Sequence, residues 1–267
     1  MNRVKIILVD WIGYPLQRRR RMGRNKHICG LGPLLKNLQT YEPGIGYDLM
    51  LIINSVLQES KPIFRQFPAL IKRRQRQIKR RKARYLKLKQ QYQIISTLIF
   101  RESNLGKDIG AYDFGFNELK KEGYTGDVVM MNTNIRGPSE NDWLINYYKL
   151  FRKHQNTGLC GVSLNSHDTT QTPPVFDPHV QSFFIYSTME VLKKAFPNIL
   201  PGADFDVEKD KLIQTGEIGI SRTILDMGYG IVASMFPEFH YKKEQEWSLQ
   251  EGDLRQLKQF DKRANKL

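Results

Sequence analysis

The chain has 267 residues, two cysteines and a formal net charge of +15. That length suffices for one large domain or two small ones with a sizeable core, and no run approaches the about eighteen apolar residues of a membrane-spanning helix. Cys29 and Cys160 make neither a metal-type cluster nor a disulfide framework, which suits a reducing, cytoplasmic compartment.

The charge is unevenly placed. KRRQRQIKRRKARYLKLK (72–89) holds eleven Lys or Arg and RRRRMGRNK (18–26) six more, with no acid in either; the remaining 25 basic and 27 acidic residues leave the rest at −2. A near-neutral globular body with two basic patches is expected.

Taken in order, VKIILVDW (4–11) reads as a strand. Lys5 and Asp10 interrupt its apolar run and no small-residue cleavage site follows, so MNRVKIILVDWIGYP is expected to be a buried first strand and not an export signal. LGPLLKNLQTY (31–41) reads as a helix and YDLMLIINSV (47–56) as a second strand, after which a basic insertion, helical or disordered, spans 61–92. ISTLIF (95–100) and GDVVMMN (126–132) read as strands around a helix at 111–123. A helix at 141–155, a strand at 158–165, a mixed strand and helix at 180–197 and a helix at 217–230 follow. Alternating strands and helices imply an α/β fold with a mainly parallel, Rossmann-like sheet covered on both faces. One domain is expected over 1–240, with a charged tail at 241–267.

In such sheets ligands gather at the carboxyl ends of the strands. Asp10, the Asn104–Gly110 loop, the Asn132–Pro138 loop and the segment 165–179 lie there. In NLGKDIG, Gly106 and Gly110 permit close backbone approach, the helix start favours an anion, Lys107 adds a point charge and Asp108 can accept from a hydroxyl. An ordinary strand-to-helix turn explains the same residues about as well. At the next strand end, Asn132-Thr133-Asn134 stands where metal-dependent sugar-nucleotide enzymes carry Asp-x-Asp. Uncharged amides are weak ligands for a hard divalent ion such as Mn or Mg, so a tightly held metal is in doubt.

Five pieces in order resemble the rhamnan synthesis protein F-like glycosyltransferases: N-x-G-x-D-I-G-A-Y, a strand ending N-x-N with G-P beyond it, G-L-x-G, H-x-Q-S and G-E-x-x-x-S-R. The similarity covers about residues 95–232. It implies a GT-A fold, a nucleotide-diphosphate sugar donor and a glycan or other hydroxyl acceptor. By position it places Asn104, Gly106 and Asp108 on the donor side, and Asn132 and Asn134 at the diphosphate. His179 and Gln181 fall toward the donor sugar or acceptor, with a structural, hydrogen-bonded histidine as the other reading of His179. Glu217 in TGEIGISR resembles the carboxylate that takes the acceptor proton in inverting transferases; a carboxylate favouring a helix start and assisting a Thr215 cap is its rival explanation. Asp10 and Glu102 stand as further nucleotide contacts or as mere strand-end residues.

The basic run 72–89 reads as a solvated face. Ile71, Ile78, Tyr85 and Leu86 give spacings near seven, a thin apolar stripe suited to an anionic membrane surface, and this is favoured over nucleic acid because no aromatic interleaving supports base recognition. A nucleic-acid-binding α/β protein and a catalytically idle transferase-like domain are the alternatives to an active enzyme.

Overall fold

The computed structural model describes residues 3–22, 25–55, 68–206 and 208–249. They form an α/β fold around an eight-stranded, mainly parallel sheet. At its centre lies β1 (Val4–Trp11), paired in parallel with β4 (Tyr47–Asn54) on one side and β6 (Asp127–Asn132) on the other. β5 (Ile95–Arg101) extends the sheet beyond β4 in parallel. Beyond β6 the direction reverses for one strand: β10 (Phe184–Thr188) is antiparallel to both β6 and β7 (Thr157–Gly161). β11 (Gly230–Ala233) then runs parallel to β7 and is closed by antiparallel β12 (Phe236–Tyr241).

The central strands are apolar throughout, and their period of two divides them between two cores. Val4, Ile6 and Leu8 of β1, with Leu49, Leu51 and Ile53 of β4, face α1 (Leu31–Thr40), α2 (Pro68–Gln91) and α4 (Trp143–Lys153). Ile7 and Val9, with Met50 and Ile52, face α3 (Lys107–Lys121), α5 (Met189–Ala195) and α7 (Gly219–Asp226). Two hairpins stand off the main sheet: β2 (Arg18–Met22) with β3 (Asn25–Cys29), and β8 (Leu164–Asp168) with β9 (Val175–Val180).

Four sequence expectations are corrected. The basic segment is a helix, and its heptad-spaced residues face inward: Tyr85 and Leu88 are buried and Ile78 packs on the core beside them, while Leu86 is 51% exposed. Ile71 lies outside the described side chains, and so do residues 61–67 and 250–267 of the insertion and tail. A membrane-facing stripe therefore does not form from Ile78 and Tyr85. Among the described residues no helix is long and apolar enough to cross a membrane. The run 158–165 is not one strand but the end of β7 and the start of β8, in different sheets; only Ser163 interrupts its small and apolar residues at the exit. The helix at 111–123 starts earlier, at Lys107. The helix at 217–230 starts much earlier, with α6 (Lys209–Leu212), and passes through a π-helical turn (Ile213–Ile218) into α7.

Tight packing of α3 on the sheet depends on Gly115. A side-chain carbon there would come within 2.7 Å of Ile7 and 2.9 Å of Ile52. Gly115→Val is expected to overpack this interface and lower unfolding free energy by about 1–3 kcal/mol, measured by urea denaturation; an unchanged midpoint would show that the helix and sheet can separate without cost.

Candidate functional site

The carboxyl ends of β1 and β6 lie side by side, with Val9 opposite Asn132. Asp10 follows Val9 and is only 2% exposed, so its carboxylate must find donors within the protein. Thr133 Oγ1 donates to one oxygen at 2.7 Å and the Tyr85 hydroxyl donates to the other at 2.9 Å. Burial still raises the Asp10 pKa above its ordinary range, against these hydrogen bonds and the charge of Arg18. Arg18 enters from β2: its Nη2 donates to the Thr133 carbonyl at 2.7 Å and to Thr133 Oγ1 at 2.8 Å.

Beside this group, Asn132 Nδ2 donates to Asp108 Oδ2 at 2.8 Å, and Asn132 Oδ1 accepts from the Asn134 amide at 2.9 Å. Asp108, in the first turn of α3, is partly buried. Burial, and then the neighbouring Asp10, lift its pKa to about 6. The loop before it is shaped by Arg101, whose Nη1 donates to Asn54 Oδ1 and to the carbonyls of Ser103 and Leu105. Gly106 has φ of 63°, and a Cβ there would lie 2.2 Å from the Ala203 carbonyl oxygen; Gly110 faces the same oxygen at 2.6 Å. The close approach these glycines permit is made by the chain itself, in the segment 201–205. Lys107 is half-buried, and its carbonyl accepts from Asn54 Nδ2 at 2.9 Å. Asn104 contributes its carbonyl to the turn, accepting from the Lys107 amide.

The opposite wall comes from the π-helical turn, β9 and the short link to β10. Glu217 is the fifth residue of that turn, not the first of a helix, and no side chain caps the turn. The Thr215-cap explanation of Glu217 is thereby removed. Glu217 Oε2 accepts from both the amide (2.8 Å) and the hydroxyl of Ser182. Glu217 Oε1 lies 3.7 Å from His179 Nε2. The SR of the same stretch bolts α7 to β9: Ser221 Oγ accepts from the Val180 amide at 3.0 Å, and Arg222 pairs with Asp177. A π-turn, which costs regular helix hydrogen bonding and recurs at functional sites, thus turns the carboxylate toward Ser182.

His179 is 2% exposed. Its Nδ1 lies 2.7 Å from the Asp177 carbonyl, which can only accept, so Nδ1 carries the proton and Nε2 accepts from Asn165 Nδ2 at 3.2 Å. Gln181, equally buried, accepts from Ser163 Oγ at 2.8 Å and ties the β7–β8 link to the β9–β10 link. Tyr112 joins the walls: its hydroxyl donates to the Ser182 carbonyl at 2.9 Å, and burial followed by the charges of Asp108 and Glu217 pushes its pKa well up.

Asp10, Asp108, Asn132, Asn134, His179 and Glu217 therefore belong to one linked network at the strand ends, joined through Thr133, Tyr112 and Ser182, whereas Glu102 points outward and pairs with Lys82 at 3.6 Å. Arg18, Tyr85, Thr133, Tyr112 and Ser182 were not expected there. Of these, Ser182 closes H-x-Q-S, Tyr112 closes N-x-G-x-D-I-G-A-Y and Thr133 is the middle of Asn-Thr-Asn, whereas Arg18 and Tyr85 lie inside the two basic runs.

No family model matches the chain, and no curated protein does. A solved structure from Desulfovibrio desulfuricans G20, named "putative nucleotide-diphospho-sugar transferase", is similar with a TM-score of 0.40 at 11% identity, over 87% of this chain and 80% of that one.

The raised Asp108 pKa fixes a pH dependence. From its ordinary 3.8 to about 6 the folded protein holds this proton more tightly than the unfolded chain, so this group's contribution to stability falls as pH rises through that window. Asp108→Asn, which keeps an acceptor for Asn132, is expected to flatten the fall and to gain on the wild type above pH 6. Melting temperatures of both proteins from pH 4 to 7 check this; parallel curves would place Asp108 in an ordinary solvated setting.

Proposed function

We propose that the chain is a glycosyltransferase that moves a sugar from a nucleotide-diphosphate donor to a hydroxyl of a glycan acceptor, with inversion. The observation that carries this is the setting of Glu217. One carboxylate oxygen is anchored twice by Ser182, and the other takes no hydrogen bond from Ser182 and lies 3.7 Å from His179 Nε2. A carboxylate so oriented suits general-base work, which needs position before basicity. The arrangement of the parallel strands with antiparallel β10 between β6 and β7 agrees with a GT-A fold, and the rhamnan synthesis protein F-like group is the finer assignment.

In this reading the acceptor oxygen attacks the anomeric carbon while its proton passes to Glu217 Oε1. The bond from that carbon to the diphosphate oxygen breaks, and its electron pair leaves with the nucleoside diphosphate. Ser182 holds the base in place, and Tyr112 holds Ser182. His179 braces the wall through both of its ring nitrogens. Asp108 Oδ1 is open to a sugar or ribose hydroxyl, and Asn104 and Lys107 line the same donor side.

The residues at the strand ends do not fit a tightly held divalent ion. Such an ion takes six or more hard oxygens, several of them charged. Here both Asp10 oxygens are used by Thr133 and Tyr85, Asn132 Oδ1 by Asn134, and one Asp108 oxygen by Asn132. One carboxylate oxygen remains.

The test is Glu217→Gln. It is expected to keep nucleotide affinity while lowering sugar transfer by about 10²–10⁴-fold, with UDP, GDP and dTDP screened by thermal shift to find the donor. Transfer near the wild-type rate would remove Glu217 as base. Donor binding without any transfer in the wild type would leave an idle domain.

A further inference from the structure

A charge buried without partners is costly, and proteins rarely leave one so. Arg18 is 8% exposed. A guanidinium carries five N–H donors; Nη2 uses its own on Thr133, while Nε and Nη1 meet no acceptor. Three donors of a delocalised cation are therefore unspent at the carboxyl edge of β1 and β6. The nearby carboxylates do not take them. Asp10 accepts from Thr133 and Tyr85, Asp108 from Asn132, and among the described residues no ion pair includes Arg18.

The guanidinium is nonetheless fixed. Thr133 holds one side of it and is itself held by Asp10, while the Tyr14 ring lies 4.2 Å from its central carbon. Tyr14 in turn meets Trp11 edge to face at 5.0 Å. A preorganised cation with spare donors calls for an anion bearing several oxygens.

We propose that Arg18 holds the diphosphate of the donor, in the role that a divalent ion plays where a strand ends in Asp-x-Asp. This rests on the transferase reading. Thr133 is the middle residue of Asn-Thr-Asn, so the departure from Asp-x-Asp and the arrival of Arg18 occur at one residue. When the bond between the anomeric carbon and the diphosphate oxygen breaks, its electron pair stays on that oxygen. The leaving group gains one negative charge, and a cation already fixed by Thr133 and Tyr14, with donors still unspent, would stabilise it.

The experiment is calorimetric titration, in EDTA, of wild type, Arg18→Met and Arg18→Lys with UDP, GDP, dTDP, the matching nucleosides and inorganic pyrophosphate. Wild type is expected to bind a nucleoside diphosphate without metal, and Arg18→Met to bind it about 10–100-fold more weakly. The nucleoside should lose little, Arg18→Lys should fall between, and the melting temperature of Arg18→Met should hold. Equal diphosphate affinity in Arg18→Met would overturn the proposal, as would wild-type binding that appears only on adding Mn²⁺ or Mg²⁺; the second result needs no variant to fold. Nucleoside diphosphate binding in EDTA that ignores Arg18 would leave the transferase reading standing and remove Arg18. Pyrophosphate bound through Arg18 as tightly as any nucleoside diphosphate would keep the anion site and defeat the donor reading.

Discussion

The buried carboxylate of Asp10 constrains everything around it. It sits where the central strand leaves the core, and water does not reach it, so the protein must bring donors from elsewhere. Tyr85 arrives from α2 and Thr133 from the end of β6, 75 and 123 residues away in sequence. Thr133 then becomes the acceptor for Arg18 from the first hairpin. One unsatisfied group thus ties together an inner strand, a surface helix and a hairpin. Replacing Asp10 and its partners by apolar residues would relieve a costly set of buried polar groups. Stability alone therefore gives no reason for concentrating them at one end of the sheet.

The facing wall is built by different physics. β10 enters antiparallel between β6 and β7, so the chain must double back just before it, and the link at 181–183 is where it does so. That turn presents the Ser182 amide and hydroxyl outward. The π-turn adds the rotation that aims Glu217 at them, and Ser221 and Arg222 lock the following helix to β9. Hydrogen bonds to the charged form stabilise a carboxylate, and both that Ser182 gives to Glu217 fall on Oε2, none on Oε1.

The parallel strands, their order of appearance and the strand-end location of the polar residues were legible because long apolar runs admit few other folds. Asp10 and Asn132 were singled out as strand-end residues, and Glu217 through the family resemblance; the structure sets all three in one linked polar network. Tyr85 and Arg18 were not expected there, since each lies within a run of cations where the average property of the segment masks the single residue that turns inward. Tyr85 even matched a surface stripe: spacing near seven marks one face of a helix but does not say what covers it. Gly106 was read for a ligand, yet the backbone of Ala203 lies against it. Small residues announce close approach without naming the partner. The π-turn has no local sequence signature, and Glu217 was placed at a helix start for that reason.

The two features that looked unrelated in the sequence, a basic run and a strand-end site, are mechanically joined. Within α2, Arg76, Arg80 and Arg84 follow one another at intervals of four, with no acid in the helix to relieve them, and such like-charge pairs disfavour a helix in isolation. A lone helix of this composition would not persist in water. What offsets the repulsion is its inner face: Tyr85 and Leu88 in the core, Arg81 donating to the Ile12 carbonyl at 2.7 Å, and Lys82 over the Phe100 ring at 5.2 Å. Added salt screens the exposed cations and leaves those buried contacts largely untouched. The order of α2, and with it the second donor to Asp10, therefore depends on ionic strength, so the site's geometry is coupled to a charged surface that never enters it.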